Sequence, residues 1–369
     1  MQAPLIVGAG PAGCAAAITL ARAGAPPLVI ERNAETGDAI CGGFLSWCTL
    51  DALERLGIAR DTLGAADVTR VRLFAGSHRT EAALPHAAKG VSRRHLDTLM
   101  QAHAMTSGAT IDRGVAVRGF DDGTLRLADG GELAPPTLFL ATGKHDLRGL
   151  PRDTPTLADP TIGLRTRIPP APGLTRLVRG AIELHLFDRG YVGLMLQEDG
   201  SANLCLAVRR SRMRAEGDPE ALLAAIGREV PALGDRLAYG SGAIDAIANV
   251  PYGWRALAAP FAAWRLGDQA AVIPSLAGEG MGIAIASGVA AAHAWAAGAT
   301  ADTYQRAFAQ RSRAPVARAR LLRDLAERPA GARLLLAAAA AIPGGAALAA
   351  RLTRITHLPI DARPPAQHI

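Results

Sequence analysis

The run Gly8-Ala9-Gly10-Pro11-Ala12-Gly13 constrains this chain more than any other feature. It follows the apolar residues 4–7 at once and opens an alanine-rich helical stretch at 14–23. Gly24 then stops the helix, and Leu28-Val29-Ile30-Glu31 reads as a second strand. Strand, glycine turn, helix and strand within roughly thirty residues are the opening unit of a doubly wound parallel sheet. Gly8 permits the tight turn, Gly10 lets the backbone approach a pyrophosphate, and Gly13 lets the helix pack on the sheet. Pro11 and Ala12 complete the glycine run, and the helix that follows has first amides and a partial positive charge that suit phosphate. Glu31, with Arg32 beside it, closes the second strand where a ribose diol would need an acceptor. The pattern predicts a dinucleotide site.

The rest of the composition narrows the setting. A chain of 369 residues with 49% apolar and 20% charged residues has the material for two or three lobes, which excludes wholesale disorder. The net charge is +7, and only Lys89 and Lys144 are lysines, so the basic charge is almost all arginine. Such a balance suits an anionic substrate, a phosphorylated cofactor or an anionic membrane surface. No lysine-rich tail or recognition signature accompanies it, so nucleic acid is not the expected partner. Cys14, Cys41, Cys48 and Cys205 contain no CxxC pair, which argues against a disulfide framework and against a metal site. The N-terminus enters a strand without a basic, cleavable leader, and the expectation is a cytoplasmic protein. The apolar tract 334–350 is short and broken at Pro343-Gly344-Gly345, so it reads as a pair of hinged, packed helices rather than a membrane span.

Further elements follow from periodicity. Helices are expected at 49–57, 92–107, 218–230 and 279–297, with an alternating strand at 68–74 and a buried strand entering the turn at Thr142-Gly143. A proline-dense stretch at 151–172 marks a crossover. Three strand-like runs within 176–208 form an antiparallel meander, and 263–272 is strand-like.

Arg265-Leu266-Gly267-Asp268, followed by Pro274-Ser275-Leu276-Ala277-Gly278-Glu279-Gly280-Met281, enters a small-residue helix. Together with the N-terminal motif, this resembles the flavoproteins of the p-hydroxybenzoate hydroxylase and geranylgeranyl reductase superfamily. The resemblance implies FAD as the cofactor, with Asp268 against the ribityl chain. Pro274 and the backbone of Gly278, Gly280 and Met281 would lie at the flavin pyrimidine edge. A helix N-terminus there favours the negative charge that a reduced flavin acquires. Ser92-Arg93-Arg94-His95-Leu96-Asp97 is similar to the family helix start whose arginine lies by the cofactor, which implies that role for Arg93. The segment 141–148 stands where the hydroxylases carry a stretch serving FAD and NAD(P)H. It departs from their pattern at Thr142 and Asp146, leaving the electron source open between NAD(P)H and a separate reduced donor. Cys41-Gly42-Gly43 looks like the Cys-Gly-Gly segment near the flavin in the reductases, which places Cys41 and Gly42 at the cofactor.

The implied fold is α/β: a Rossmann-like FAD-binding domain of glutathione-reductase type, an antiparallel-sheet substrate domain and C-terminal helices. The expected FAD-binding domain is discontinuous, at 1–75, 90–165 and 245–300. The substrate domain takes 76–89 and 166–244, and the C-terminal helical region takes 301–369. The implied activity is that of an FAD-dependent oxidoreductase on a bulky lipophilic or aromatic small molecule, by double-bond reduction or by hydroxylation. The rival is a non-catalytic lipid- or prenyl-binding relative. Cys41 and Tyr191 are the candidate catalytic side chains, although Gly190-Tyr191 lacks the rest of the reductases' aromatic motif. The C-terminal helices are expected to wall the substrate site, with Arg333, Arg351 and Arg354 available for peripheral contact with anionic lipid. The oligomeric state is left open.

Overall fold

The computed structural model describes residues 2–355; the remainder of the expected C-terminal region lies outside them. Five parallel strands form the first sheet, in the order Trp264–Arg265, Leu138–Leu140, Leu5–Val7, Leu28–Glu31 and Thr110–Arg113. Leu5–Val7 is buried along its length, as a central parallel strand covered on both faces must be. The next strand along the chain, Leu28–Glu31, pairs on one side of it, while Leu138–Leu140 pairs on the other. Strand order therefore reverses at Leu5–Val7, and a crevice opens beyond its C-terminal end.

Two helices meet behind that crevice. Pro11–Arg22 is buried from Pro11 to Leu20, and Gly280–Ala296 is apolar all round and correspondingly enclosed. They touch through bare backbone, since any side chain on Gly288 would collide with the Ala12 carbonyl.

An eight-stranded mixed sheet forms the second layer. Its order is Asp245–Val250, Thr161–Ile168, Ala202–Arg209, Gly190–Leu196, Ala181–Phe187, Asp67–Ala75, His78–Gly90 and Phe44–Leu45. The meander within 176–208 is antiparallel as expected. The boundaries drawn at 75/76, 165/166 and 244/245 need correction. Asp67–Ala75 and His78–Gly90 are one hairpin, and both Thr161–Ile168 and Asp245–Val250 pair inside the large sheet. Pairing with strands distant in sequence carries these segments into the large sheet. The strand-like run 263–272 is also shorter than expected, because the chain turns into a 3-10 helix at Gly267, where φ is +59°.

Alternation decides which face of the large sheet does what. Leu164, Val192, Leu194, Leu204, Leu206 and Val208 point outward into a core shared with the helices Pro172–Val178, Pro219–Glu229 and Pro231–Leu237. The intervening residues, among them Tyr191, Gly193, Asn203 and Cys205, face the cofactor crevice. The helices Pro329–Ala341 and Gly345–Leu352 are bent by 116° at the Pro-Gly-Gly hinge. Ala332 and Leu336 of the first pack with Ala75, Leu186, Tyr191 and Ala207 at one end of this inner face. Among the described residues no single helix is long and apolar enough to cross a membrane.

The outer core encloses a charged cluster. Glu183, fully buried, accepts two hydrogen bonds from Arg236 at 2.9 and 3.0 Å and lies 3.3 Å from His185 Nε2. His185 stacks on Phe74 with ring centroids 4.6 Å apart. Burial alone would push the Glu183 carboxyl up, but His185 and Arg236 outweigh it and hold the group at about 2. Burial keeps the His185 imidazole below its ordinary value. Below about pH 6.5 the unfolded chain therefore takes up a proton on His185 that the folded chain does not, so stability falls as pH falls. Glu183 adds a second loss as pH drops from 4.5 towards about 2. Urea unfolding should show a lower midpoint at pH 5 than at pH 7.5, with a shallower decline in His185→Gln.

Candidate functional site

The glycine turn sits at the mouth of the crevice. Gly8 has φ +105°, and a Cβ there would lie 2.5 Å from the Ala141 carbonyl oxygen, while one on Gly13 would collide with the Gly8 carbonyl. Gly10 is the N-cap of Pro11–Arg22, Pro11 its first residue and Ala12 the next, and no side chain caps the first amides. Glu31 braces this turn: Oε2 accepts from the Ala9 amide at 2.8 Å and Oε1 from the Asn33 amide at 3.0 Å. Arg32 is exposed beside it. Gln101 adds a second brace, donating to the Ala9 carbonyl at 2.9 Å.

Arg93 supplies the charge. A Cβ on Gly10 would lie 3.3 Å from Arg93 Nη2, so guanidinium and bare glycine face each other across the turn. Asp97 accepts from Arg93 Nε and Nη2 at 2.9 and 2.7 Å. Burial would lower the Arg93 pKa, but Asp97 overrides it and raises it, so the cation is permanent. A glycine floor, unpaired helix amides and a fixed guanidinium make an anion site. These residues fit the diphosphate of a dinucleotide.

The segment 36–43 crosses the crevice as a strap tied at several points. Asp38 pairs with Arg165 and Arg167 of the large sheet and accepts from the Arg94 amide at 3.1 Å. Asn203 Nδ2 donates to the carbonyls of Cys41 and Gly42 at 2.9 and 3.0 Å. Lys144 Nζ donates to the Ile40 carbonyl at 3.1 Å and lies 3.6 Å from Asp268 Oδ2, bridging the strap to the expected ribityl contact. Thr142 Oγ1 donates to the His145 carbonyl at 2.7 Å, and the Gly143 carbonyl accepts from Gln269 at 3.0 Å. Both therefore shape the turn behind Asp268. Cys41 is half-buried on the strap. Burial pushes the Cys205 thiol up to about 12, which removes it as a nucleophile at neutral pH.

The second turn, Pro274 to Gly280, faces the first. Ser275–Ala277 is a 3-10 turn closed by Gly278 at φ +63°, and Gly280 begins the long buried helix. The Gly278 amide donates inside the turn, to the Ser275 carbonyl at 2.9 Å. It is therefore not available to a flavin, and the uncapped amides are those beyond it, through Gly280 and Met281. The Met281 side chain is buried, so only its backbone can serve. Arg354, just beyond the last described helix, donates to the carbonyls of Ala277 and Gly278 and pairs with buried Glu279. Glu279 also accepts from Ser46 Oγ at 3.1 Å and from the Ile355 amide at 3.2 Å. The guanidinium lies over the rings of Trp47 and Phe44 at 5.4 and 5.9 Å. Arg354, expected to meet lipid, is instead buried against this turn, whereas Arg333 and Arg351 are exposed.

Tyr191 is 2% exposed. Its hydroxyl lies 2.7 Å from Ser275 Oγ and accepts from the Leu276 amide at 3.0 Å, so it secures the turn from the sheet side. Beside it runs a cross-strand row of half-buried residues: Leu73, Leu184, Gly193 and Cys205.

Residues 2–128 match the family of the FAD binding domain. The chain contains an FAD-binding domain. Its cofactor is FAD, and its fold is shared with solved flavoproteins at low identity. The flavin-dependent brominase Bmp2 is 18% identical, with 95% of this chain and 93% of that one covered and a TM-score of 0.76. A geranylgeranyl bacteriochlorophyll reductase-like protein from Thermoplasma acidophilum is 18% identical over 92% of each chain, with a TM-score of 0.72. PqsL of Pseudomonas aeruginosa, a probable FAD-dependent monooxygenase, is 18% identical over 90% of this chain and 99% of that one, with a TM-score of 0.68. No curated protein sequence matches significantly.

Sequence reasoning gave no site role to Asp38, Lys144, Asn203 or Glu279, and it sent Arg354 to lipid rather than to the second turn. Lys144 and Glu279 stood inside motifs without a role of their own; Asp38, Asn203 and Arg354 act through partners distant in sequence. Gly10→Val should lose FAD while keeping the fold, because a branched Cβ meets Arg93 and fills the diphosphate approach; absorbance at about 450 nm after dialysis reads this out. Arg354→Gln leaves Glu279 buried without its cation and should lower the unfolding free energy by about 3 kcal/mol. Chemical denaturation of the flavin-loaded protein, followed by flavin fluorescence, checks it.

Proposed function

We propose that this FAD-dependent oxidoreductase acts on a small aromatic or otherwise unsaturated molecule, in a monooxygenase-like reaction that consumes oxygen. The observation that carries the reading is the uncharged row Leu73, Leu184, Gly193 and Cys205 on the crevice-facing side of the large sheet. It is bounded by the flavin turn through Tyr191 and by the strap through Asn203. Leu335 and Leu336 of the C-terminal helices close one end, which favours a ring-sized molecule over a long chain.

Bound FAD supplies the redox chemistry, passing electrons from a reduced donor to oxygen or to a double bond. The chain's own residues bind and enclose it. The amides after Gly10, with Gly8, Gly13 and Arg93, would hold the diphosphate. Glu31 would accept from the ribose and Asp268 from the ribityl hydroxyls. Cys41, Gly42 and the amides from Gly280 onward would border the ring. The apolar roof excludes water, which strengthens every dipole aimed at the ring and protects reactive species. Cys41 lies beside this space, but no base is within hydrogen-bond distance of its thiol among the described contacts, and the reading assigns it a bordering role.

A second reading, reduction of an alkene, rests on the Cys41-Gly42-Gly43 strap and on the fold held in common with the reductase-like protein. Photoreduced protein separates the two. The first reading expects oxygen uptake accelerated by an aromatic substrate, with no anaerobic reoxidation by alkenes. Anaerobic reoxidation by a short isoprenoid alcohol would overturn it in favour of the second. Gly193→Leu, which fills the roof without touching the FAD turns, should keep stoichiometric flavin and abolish the substrate response in either assay.

A further inference from the structure

Ser275 stands where the roof meets the flavin turn, and its hydroxyl is unusually committed. Tyr191, from the strand Gly190–Leu196, and Tyr252, just after Asp245–Val250, both place their phenolic oxygens 2.7 Å from Ser275 Oγ. Tyr252 donates to the serine. The direction of the Tyr191 bond follows from its burial. Its oxygen already accepts from the Leu276 amide. Were Ser275 to donate to it as well, the phenolic hydrogen would be buried without an acceptor, which proteins avoid. Tyr191 therefore donates too.

Both phenols remain protonated at neutral pH. Burial pushes Tyr191 up to about 12 and Tyr252 well above the ordinary tyrosine value. The charges around them are paired: Arg323 lies 5.0 Å over the Tyr252 ring and donates to Glu327 at 2.6 Å.

A serine oxygen has two lone pairs and one hydrogen. With both lone pairs taken by tyrosines, the hydrogen is directed away from them, and two incoming donors polarise it. Ser275 is itself exposed, while Leu73, Leu184, Leu276 and Leu335 pack against the apolar cluster that holds its partner Tyr191. A single strengthened donor in such a setting recognises one oxygen acceptor on an otherwise apolar molecule.

We propose that Ser275 is a specificity-determining residue whose hydroxyl donates to a carbonyl or phenolic oxygen of the substrate, with Tyr191 and Tyr252 fixing its direction. This rests on the substrate cavity assigned above. It narrows the substrates to aromatic or unsaturated molecules that carry such an oxygen.

Acetophenone and cumene, nearly equal in shape but with and without the oxygen, test it. Each is titrated into the flavin-loaded protein and followed by perturbation of the flavin absorbance. The wild-type protein should bind acetophenone about fivefold more tightly, as one neutral hydrogen bond provides. Ser275→Ala should bring the two affinities together by weakening acetophenone alone, and Ser275→Thr should restore the gap. Tyr252→Phe should narrow the gap without changing cumene, which a purely structural role would not do. Equal affinities in the wild type, or a gap that survives in Ser275→Ala, overturns the inference and leaves the cavity standing. If neither probe perturbs the flavin while FAD is retained, the cavity assignment falls and the inference falls with it.

Discussion

The contact between two helices through bare backbone is the constraint on which the rest of this structure depends. Pro11–Arg22 and Gly280–Ala296 approach so closely at Gly288 and Ala12 that no side chain fits between them. Each helix presents uncapped amides at its N-terminus, and each N-terminus follows a glycine turn. Locking the helices together fixes the separation and angle of two positively polarised ends. In the proposed site, one would meet the diphosphate of FAD and the other the ring that gains charge on reduction. A longer side chain at the contact would move one turn relative to the other, and the cofactor would no longer span them.

The other parts of the molecule tie themselves to these two turns. Glu31 and Gln101 brace the first from neighbouring elements, and Arg93 adds a charge made permanent by Asp97. Arg354 and Glu279 secure the second, so the C-terminal helices that close the roof are also fastened to the flavin turn. The strap at 36–43 is held by the large sheet through Asp38 and Asn203 and by Lys144 towards Asp268. The cofactor crevice and the roof are thus joined by short polar contacts at their rims, while the space between Leu184, Gly193 and Cys205 is left apolar. That division suits redox chemistry on the proposed FAD site, where charge would lie at the cofactor's ends and water would be kept from its middle.

The fold was legible where local chemistry and spacing coincide. The glycine run after residues 4–7, the alanine-rich helix and the alternation within 176–208 each dictate a backbone conformation over a short range, and each is found. Domain limits were less legible. The hairpin of Asp67–Ala75 with His78–Gly90 and the edge strand Asp245–Val250 join the large sheet through pairings with distant strands. Nothing local in their residues chooses that sheet over the other.

The sequence by itself determined that the chain opens with a dinucleotide-binding unit, and its resemblance to a flavoprotein family is what proposed a second glycine turn, far along, for the same cofactor. Glycine is required where backbone must approach backbone or phosphate, and that requirement is written residue by residue. Only the tertiary structure decided what the long polar side chains do. It gave Tyr191 to Ser275 rather than to open cavity, buried Arg354 against the flavin turn rather than leaving it for lipid, and brought Asp38 to Arg165 and Arg167. Flexible side chains reach partners set by packing, and a buried charge or hydroxyl stays only where it finds one. That choice depends on which distant element lies opposite, and a linear pattern does not carry it.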